Sequence, residues 1–175
     1  MTTKDFKTIF LAGGCFWGVE AYFRQLKGII DTGVGYAQGH VEAPSYEQGC
    51  TGKTGHTETV MLIYNPLAIS LEEILDHYFR IINPFTLNKQ GNDIGSQYRS
   101  GIYYDDDNNL ELIIEFVKKL QKQYDKKIVV EIEALQSFWR AEEYHQRYLE
   151  NNPNAYCHID LGLAKDNETK TGTLN

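Results

Sequence analysis

The sequence predicts a single α+β domain, a two-layer α/β sandwich with a mixed, largely antiparallel sheet and an irregular C-terminal tail. Three observations predict this class. Strand-like and helix-like apolar segments alternate along the chain, no repeat or low-complexity linker separates them, and 175 residues suffice for one core. We expect one catalytic domain over residues 1–175, with its core at about 8–150 and its tail at about 151–175.

The first half of the chain contains three predicted strands and one predicted helix. The short apolar segment 8–12 predicts a buried strand, and Val19 to Leu26 has helical spacing. Ile29 to Tyr36 is interrupted by glycines and predicts a twisted or bulged strand. A long polar loop at 37–57 precedes Thr57 to Tyr64, where apolar side chains on both sides predict a central strand covered on both faces.

The second half begins with a capping box, in which Ser70 is followed three residues later by Glu73 and starts a helix. A second long polar loop, 83–99, leads to a short strand at 100–104. An acidic turn and an apolar stripe predict a helix over 110–120. We expect a strand at 128–134, a short helix at 140–149 and an irregular segment beyond residue 155.

A glycine-flanked thiol marks the junction between the first strand and the first helix. Cys15 follows Gly13 and Gly14 and precedes two aromatic residues, Phe16 and Trp17. The unpaired N–H groups and the dipole of a helix N-terminus favour an anion. We therefore expect a lowered pKa for Cys15 and a nucleophilic role, although an isolated cysteine in such a turn is more often buried and inert.

Composition excludes several classes of protein. The net charge of −7 argues against nucleic acid or an anionic membrane as the main partner. No apolar run has the length of a membrane span or a signal peptide, so we expect a cytoplasmic protein. Three cysteines, at 15, 50 and 157, neither form an even disulfide framework nor have zinc-finger spacing.

Long ordered segments of the chain resemble one enzyme family, peptide methionine sulfoxide reductase A. The segment Gly13–Glu20, which contains Cys15, resembles the active-site signature of that family. The resemblance spans roughly residues 8–160 and continues, in the order of the family, through 33–39, 46–58, 88–100, 141–146 and 152–157. It implies a ferredoxin-like core and reduction of the S epimer of methionine sulfoxide, free or in proteins.

The resemblance also implies roles for individual residues. Cys15 would attack the sulfoxide sulfur and become a sulfenic acid, and Glu58 would protonate the sulfoxide oxygen. Tyr46 and Tyr98 would donate hydrogen bonds to that oxygen. Phe16 and Trp17 would contact the S-methyl group, and Asp93 would be a supporting polar residue. Of the two aromatics we favour Trp17 as the main methyl contact, since adjacent helical residues point about 100° apart.

The role of Glu58 also has a physical basis. The oxygen of a sulfoxide leaves poorly unless it gains a proton, and a solvated carboxyl with a pKa of about 4.3 is ionised near neutral pH. Burial beside aromatic rings raises a carboxyl pKa by several units. We therefore expect Glu58 to be a buried general acid, with a solvated carboxylate at the strand end as the alternative.

Regeneration needs a second thiol. By resemblance, Cys157 would form a disulfide with the oxidised Cys15, and thioredoxin would reduce it. No later cysteine follows Leu161, so a further relay is absent from the sequence. We expect a structural role for Cys50, packing and hydrogen bonding for His145, no bound cofactor or metal, and a monomer.

Two other functions fit a reactive or buried thiol. An acyl-transfer hydrolase would use Cys15 with a histidine and would need no reductant. A non-catalytic module that binds methionine-containing peptides would not need the thiol for chemistry. The resemblance favours the reductase over both.

Overall fold

The computed structural model describes residues 5–40, 44–51, 54–155 and 157–170. In these ranges one sheet has the strand order β7-β6-β1-β3-β2-β8, and a small hairpin pairs β4 with β5. The strands are β1 (Lys7–Ala12), β2 (Ile29–Ala37), β3 (Thr57–Tyr64), β4 (Lys89–Gln90), β5 (Asp93–Ile94), β6 (Gly101–Tyr104), β7 (Glu131–Ala134) and β8 (Phe138–Arg140). The main sheet is mixed, because β6 and β7 are parallel while its other neighbours are antiparallel.

The helices are α1 (Phe16–Arg24), α2 (Tyr46–Cys50), α3 (Leu71–Ile81), α4 (Leu110–Gln121) and α5 (Tyr148–Asn151). The capping box of α3 is confirmed: Ser70 accepts a hydrogen bond from the Glu73 N–H at 3.1 Å, and the Glu73 carboxylate accepts from the Ser70 N–H at 3.4 Å. These contacts satisfy N–H groups that the first turn of a helix leaves unpaired.

Two hydrophobic clusters lie on opposite faces of the sheet. The larger cluster joins alternate residues of β1, β2, β3 and β6 to the apolar sides of α1, α3 and α4. The smaller cluster, on the other face, contains Phe10, Ala12, Ala37 and Tyr103. The central position of β3 and the predicted mixed, largely antiparallel sheet with packed helices are therefore confirmed.

The predicted helix at 140–149 is wrong. Residues 138–140 form the edge strand β8, residues 143–145 form a 3-10 turn, and Arg147 has a left-handed backbone with φ 53° just before α5. Hydrogen bonds to β2 replace the helix: the Ala141 N–H donates to the Val34 carbonyl at 2.9 Å, and the Gln146 side chain bonds to both the N–H and the carbonyl of Val34. The predicted strand at 128–134 is shorter and begins at Glu131.

Both long loops contain ordered elements that the sequence did not predict. Helix α2 lies in the first loop, and the β4–β5 hairpin and a 3-10 turn at Ser96–Tyr98 lie in the second. The tail also has local order, with 3-10 turns at Leu161–Leu163 and Asp166–Glu168. Within the described ranges, no helix is long and apolar enough to cross a membrane.

Candidate active site

Cys15 lies at the junction of β1 and α1, where it is the residue that caps the helix. The preceding Gly14 has a left-handed backbone with φ +86°, a conformation that favours glycine. A β-carbon at Gly14 would lie 2.7 Å from Cβ of Gln90 and 2.9 Å from Nε2 of His158. The turn that presents the thiol therefore requires a glycine for both its backbone angle and its close neighbours.

The expected lowering of the Cys15 pKa is wrong. Burial raises the pKa of the thiol well above its ordinary value, and the charge of Glu58 raises it further. The backbone N–H of Trp17 acts in the opposite direction but does not offset these effects. Desolvation of a thiolate thus outweighs the helix N-terminus at this half-buried position, and Cys15 is a thiol in the free protein.

Glu58 is the buried carboxyl of the site. It lies in β3 opposite Tyr36 of β2, is 3% exposed, and its Oε1 accepts a hydrogen bond from the Phe16 N–H at 3.2 Å. Burial raises the pKa of Glu58 to about 8; the Phe16 N–H lowers it in part, and the charge of Asp93 raises it. The carboxyl is thus protonated at neutral pH. It bonds to the N–H of Phe16, the residue that follows Cys15.

Tyr46 and Tyr98 both lie within the electrostatic influence of Glu58. Burial, followed by the Glu58 charge, raises the pKa of each tyrosine well above its ordinary value. Asp93 and Cys15 also act on Tyr98. Two neutral hydroxyl groups therefore lie near the protonated carboxyl.

Two polar residues, the partly exposed Glu142 and the buried Thr57, hold the tyrosines in place. Glu142 accepts hydrogen bonds from the Tyr46 N–H at 2.9 Å and from the Tyr36 hydroxyl at 3.1 Å, which joins α2 to β2. The Thr57 hydroxyl makes contacts of 3.0 Å and 2.9 Å with the carbonyl oxygens of Gln97 and Arg99, on either side of Tyr98. The loops thus converge on the site through specific hydrogen bonds to the sheet.

Phe16 and Trp17 occupy different environments. Phe16 is fully buried and packs on the rings of Tyr36 and Tyr46, with centroid distances of 5.8 Å and 6.4 Å. Trp17 is half-buried and stacks on Tyr148 at 3.8 Å. The partly exposed ring of Trp17, unlike that of Phe16, remains accessible to a small apolar group.

His145 packs and hydrogen-bonds, as the sequence predicts. Its Nδ1 accepts a hydrogen bond from Nε1 of Trp17 at 2.9 Å, and burial lowers its pKa. It is therefore a neutral imidazole that fixes the indole ring. It lies in the 3-10 turn Glu143–His145 rather than in the predicted helix.

Asp93, at the start of β5, lies close enough to several groups of the site to affect their pKa values. Its charge acts on Cys15, Glu58, Tyr98 and Cys157. Its Oδ2 lies 3.6 Å from Nδ1 of His158. The β4–β5 hairpin that carries Asp93 is held by Gln90, whose Nε2 donates to the carbonyl of Asn83 at 2.7 Å and to the Ser100 hydroxyl at 3.1 Å.

Cys157 lies against the same helix as Cys15. A β-carbon at Gly18 would be 2.9 Å from the Cys157 sulfur, so the absence of a side chain at Gly18 lets the thiol pack on α1. The two thiols are close enough for the charge of Cys157 to affect the pKa of Cys15. Both are free in the structure.

The third cysteine lies at the edge of the site. Cys50 is exposed at the end of α2, and its sulfur accepts a hydrogen bond from the Tyr46 hydroxyl. Its carbonyl accepts from Nε2 of Gln97 at 3.2 Å. These contacts join α2 to the loop of Tyr98.

A family model described as peptide methionine sulfoxide reductase matches residues 7–173. The chain belongs to the peptide methionine sulfoxide reductase family. The reductase MsrA of Ureaplasma parvum serovar 3 is 56% identical over 159 residues, which cover 91% of this chain and 96% of that protein. The predicted reductase class is thus confirmed.

Solved structures of this reductase family share the fold. The reduced form of Mxr1 from Saccharomyces cerevisiae has a TM-score of 0.82 at 40% identity and covers 88% of this chain and 90% of its own. Mxr1 in complex with Trx2 has a TM-score of 0.59 at 28% identity, with 84% and 87% covered. In the described part of the chain, no group of three or more His, Cys, Asp or Glu side chains could hold a metal ion.

Three residues that shape this reductase site were not predicted from the sequence. Glu142 and Gln90 lie in or beside segments that resemble the family, but their types gave no sign of a bridging role. His158 had no sequence signal except its position after Cys157. Each acts through a partner that is distant in the chain, which only the fold reveals.

Proposed function

We propose that Cys15 is the nucleophile of a methionine-S-sulfoxide reductase and that Glu58 is its acid. The observation that carries this assignment is the buried Glu58, with a pKa of about 8, bonded to the N–H next to Cys15. A carboxyl that keeps its proton at neutral pH supplies what a sulfoxide oxygen needs in order to leave. Tyr46 and Tyr98 donate hydrogen bonds to that oxygen.

The reaction balances with these residues alone. The sulfur of Cys15 bonds to the sulfoxide sulfur while Glu58 gives its proton to the oxygen and takes up the thiol proton of Cys15. The hydroxyl group then passes from the methionine sulfur to the Cys15 sulfur as the bond between the two sulfurs breaks, which releases methionine and leaves Cys15 as a sulfenic acid. Protonated Glu58 also removes the negative charge that otherwise opposes ionisation of Cys15. Trp17 contacts the S-methyl group, and the buried Phe16 ring forms the floor of the methyl-binding site.

Cys157 is the resolving thiol of this proposal. It attacks the sulfenic acid, a disulfide with Cys15 forms, and water leaves. The packing of its sulfur against Gly18 on α1 supports this role. Thioredoxin reduces the disulfide, an assignment supported by a solved relative that is bound to Trx2. A cycle that depends on a dithiol reductant fits a reducing compartment, the cytoplasm.

The proposed enzyme is a monomeric catalytic domain over residues 1–175 without a bound cofactor, and it accepts free or protein-bound methionine-S-sulfoxide. A cysteine hydrolase is not favoured, since Nδ1 of His145 is engaged by Trp17. A peptide-binding module is not favoured either, because simple binding gives no reason for a protonated carboxyl beside a thiol.

Mass spectrometry after one exposure to methionine-S-sulfoxide, without reductant, tests the assignment. We expect one methionine per enzyme and loss of two hydrogen atoms, mapped to peptides with Cys15 and Cys157. The R epimer is the matched control and should leave both thiols reduced. Persistence of both thiols after exposure to the S epimer would refute the proposal.

Two serine variants separate the roles of the thiols. Cys15→Ser should form no methionine, because the nucleophile is absent. Cys157→Ser should form about one methionine per enzyme and then stop when thioredoxin is the sole reductant, with the sulfenic acid left on Cys15. Continued cycling of Cys157→Ser with thioredoxin would exclude Cys157 as the resolving thiol.

A further inference from the structure

His158 connects the segment of the second thiol to the turn of the first. Its side chain is 4% exposed, and its Nε2 lies 3.1 Å from the carbonyl oxygen of Gly13. A carbonyl only accepts, so Nε2 carries the hydrogen of this bond. Nδ1 of the neutral ring is then an acceptor. The ring also lies against Gly14, directly before Cys15.

The other ring nitrogen faces Asp93. Nδ1 lies 3.6 Å from Oδ2 of Asp93, and both atoms are buried without a hydrogen-bond partner among the described residues. Two acceptors that face each other away from water are unfavourable. Burial lowers the pKa of His158, so the ring is neutral and its hydrogen bond to Gly13 is its anchoring contact.

The chain is consequently held at the Cys157 thiol and at the residue that follows it. The sulfur packs on Gly18, and the next residue is tethered to Gly13. Both contacts are with the Gly13–Gly18 segment that presents Cys15. The charge of Asp93 opposes ionisation of Cys15 and of Cys157.

We propose that His158 is a positioning residue for disulfide formation, acting through Cys157. This inference rests on the proposed function. In the step it serves, the Cys157 sulfur bonds to the Cys15 sulfur and the S–O bond of the sulfenic acid breaks. The thiol proton and the departing hydroxide become water, so no further oxidant or reductant is needed. His158 keeps the Cys157 segment beside Cys15.

The test is a rapid-quench single turnover of the full chain with excess methionine-S-sulfoxide and no reductant. Methionine formed reports the reduction, and loss of free thiols reports the disulfide. His158→Leu fills the space without polar atoms. His158→Gln keeps an N–H that reaches the Gly13 carbonyl at the position of Nε2. Cys157→Ser is the reference in which no disulfide forms, and dimedone labels the sulfenic acid that accumulates.

We expect His158→Leu to slow disulfide formation about tenfold more than it slows reduction, the effect of one lost hydrogen bond. Dimedone labelling of Cys15 should rise toward the level of Cys157→Ser. His158→Gln should return the disulfide rate to within about threefold of the original chain. A packing role alone would not make the polar variant better than the apolar one.

Three outcomes would overturn the inference: a normal disulfide rate in His158→Leu, equal slowing of both steps, or no advantage of His158→Gln over His158→Leu. Should His158→Leu fail to fold by circular dichroism, His158→Asn replaces it, since its amide falls short of Gly13. It should then be slower than His158→Gln, and equal rates overturn the inference. Absence of methionine from the original chain would instead refute the proposed function itself, together with this inference.

Discussion

At the scale of single residues, the site depends on burial that disfavours charge. Burial raises the pKa of Cys15 and raises that of Glu58 to about 8. A protonated thiol is a weak nucleophile, and the protonated carboxyl beside it holds a proton for a bound substrate. This arrangement differs from a permanently ionised cysteine and limits reaction with other electrophiles.

Glu58→Gln tests the acid at this scale. We expect the rate of methionine formation in a single turnover to fall about 10²- to 10⁴-fold while substrate binding survives, because the amide has no proton of comparable acidity. In the original chain this rate should fall as pH rises through about 8, the pKa of Glu58. An unchanged rate in Glu58→Gln would reject Glu58 as the acid.

The same substitution should change stability with a defined sign. The pKa of Glu58 is raised from 4.5 to about 8, so the folded chain holds this proton more tightly than the unfolded chain. The free energy of unfolding therefore falls across this pH window, and Glu58→Gln should be more stable than the original chain at pH 9 by about 2–4 kcal/mol. Urea unfolding at pH 5 and pH 9 measures this, with the exposed Glu72→Gln as the control. Equal stabilities at pH 9 would contradict the expectation.

At the scale of elements, the β1–α1 turn and two loops assemble the site. Tyr46 depends on the contact of α2 with Glu142, and Tyr98 depends on the anchoring of its loop by Thr57. These hydrogen bonds tie irregular segments to strands β2 and β3. Hydrogen bonds to the strands therefore hold the side chains of these segments in defined positions.

Gly14→Ala tests the turn. The left-handed φ of +86° and the approach to Gln90 and His158 both oppose a β-carbon. We expect a loss of about 2–3 kcal/mol in the free energy of unfolding. Gly162→Ala, where the nearest atom is Oδ1 of Asp160 at 3.1 Å and φ is not left-handed, is the control and should lose less than about 1 kcal/mol. Similar losses in both variants, measured by urea unfolding, would contradict this account of the turn.

At the scale of the whole molecule, several contacts attach the end of the tail to the helices, and the ionic ones come from the Glu168 carboxylate. Glu168 forms two contacts with Arg80, of 2.8 Å and 3.2 Å, and lies 3.4 Å from Nε2 of His77. The Lys27 N–H donates to the Glu168 carbonyl at 2.9 Å. The segment that begins at Cys157 is thereby fastened across α1 and α3, which limits how far its thiol moves.

Glu168→Gln should weaken the attachment of the tail. Hydrogen bonding to Arg80 lowers the pKa of Glu168 to about 2 from 4.5. A lowered carboxyl pKa contributes stability that is present above pH 4.5 and disappears as pH falls toward 2. We expect a loss of about 1–2 kcal/mol at pH 7, and a smaller difference at pH 3, by urea unfolding. Asp166→Asn, at an exposed position, removes the same charge and should have little effect. An equal loss in that variant would argue against a specific role of the Glu168–Arg80 ion pair.

The sequence by itself determined the elements whose signals are local. The alternation in β3, the capping box of α3 and the glycine turn before Cys15 follow from the preferences of a few adjacent residues, and the structure has them. The family segments named the residues of the site. Their roles remain predictions, but the structure brings Cys15, Glu58, Tyr46, Tyr98, Asp93 and Cys157 into one electrostatically coupled cluster.

The protonation of the site and the course of residues 138–155 and 157–170 depend on the tertiary structure. A helix N-terminus predicted an ionised Cys15, but burial beside Glu58 outweighs it, and burial is set by residues far apart in the chain. Local spacing predicted a helix at 140–149, but hydrogen bonds of Ala141 and Gln146 to Val34 hold this segment on β2. Likewise, the contacts of His158 with Gly13 and Asp93 join three distant segments. Local preferences amount to a fraction of a kcal/mol per residue, whereas desolvation and strand pairing are larger and depend on the completed fold.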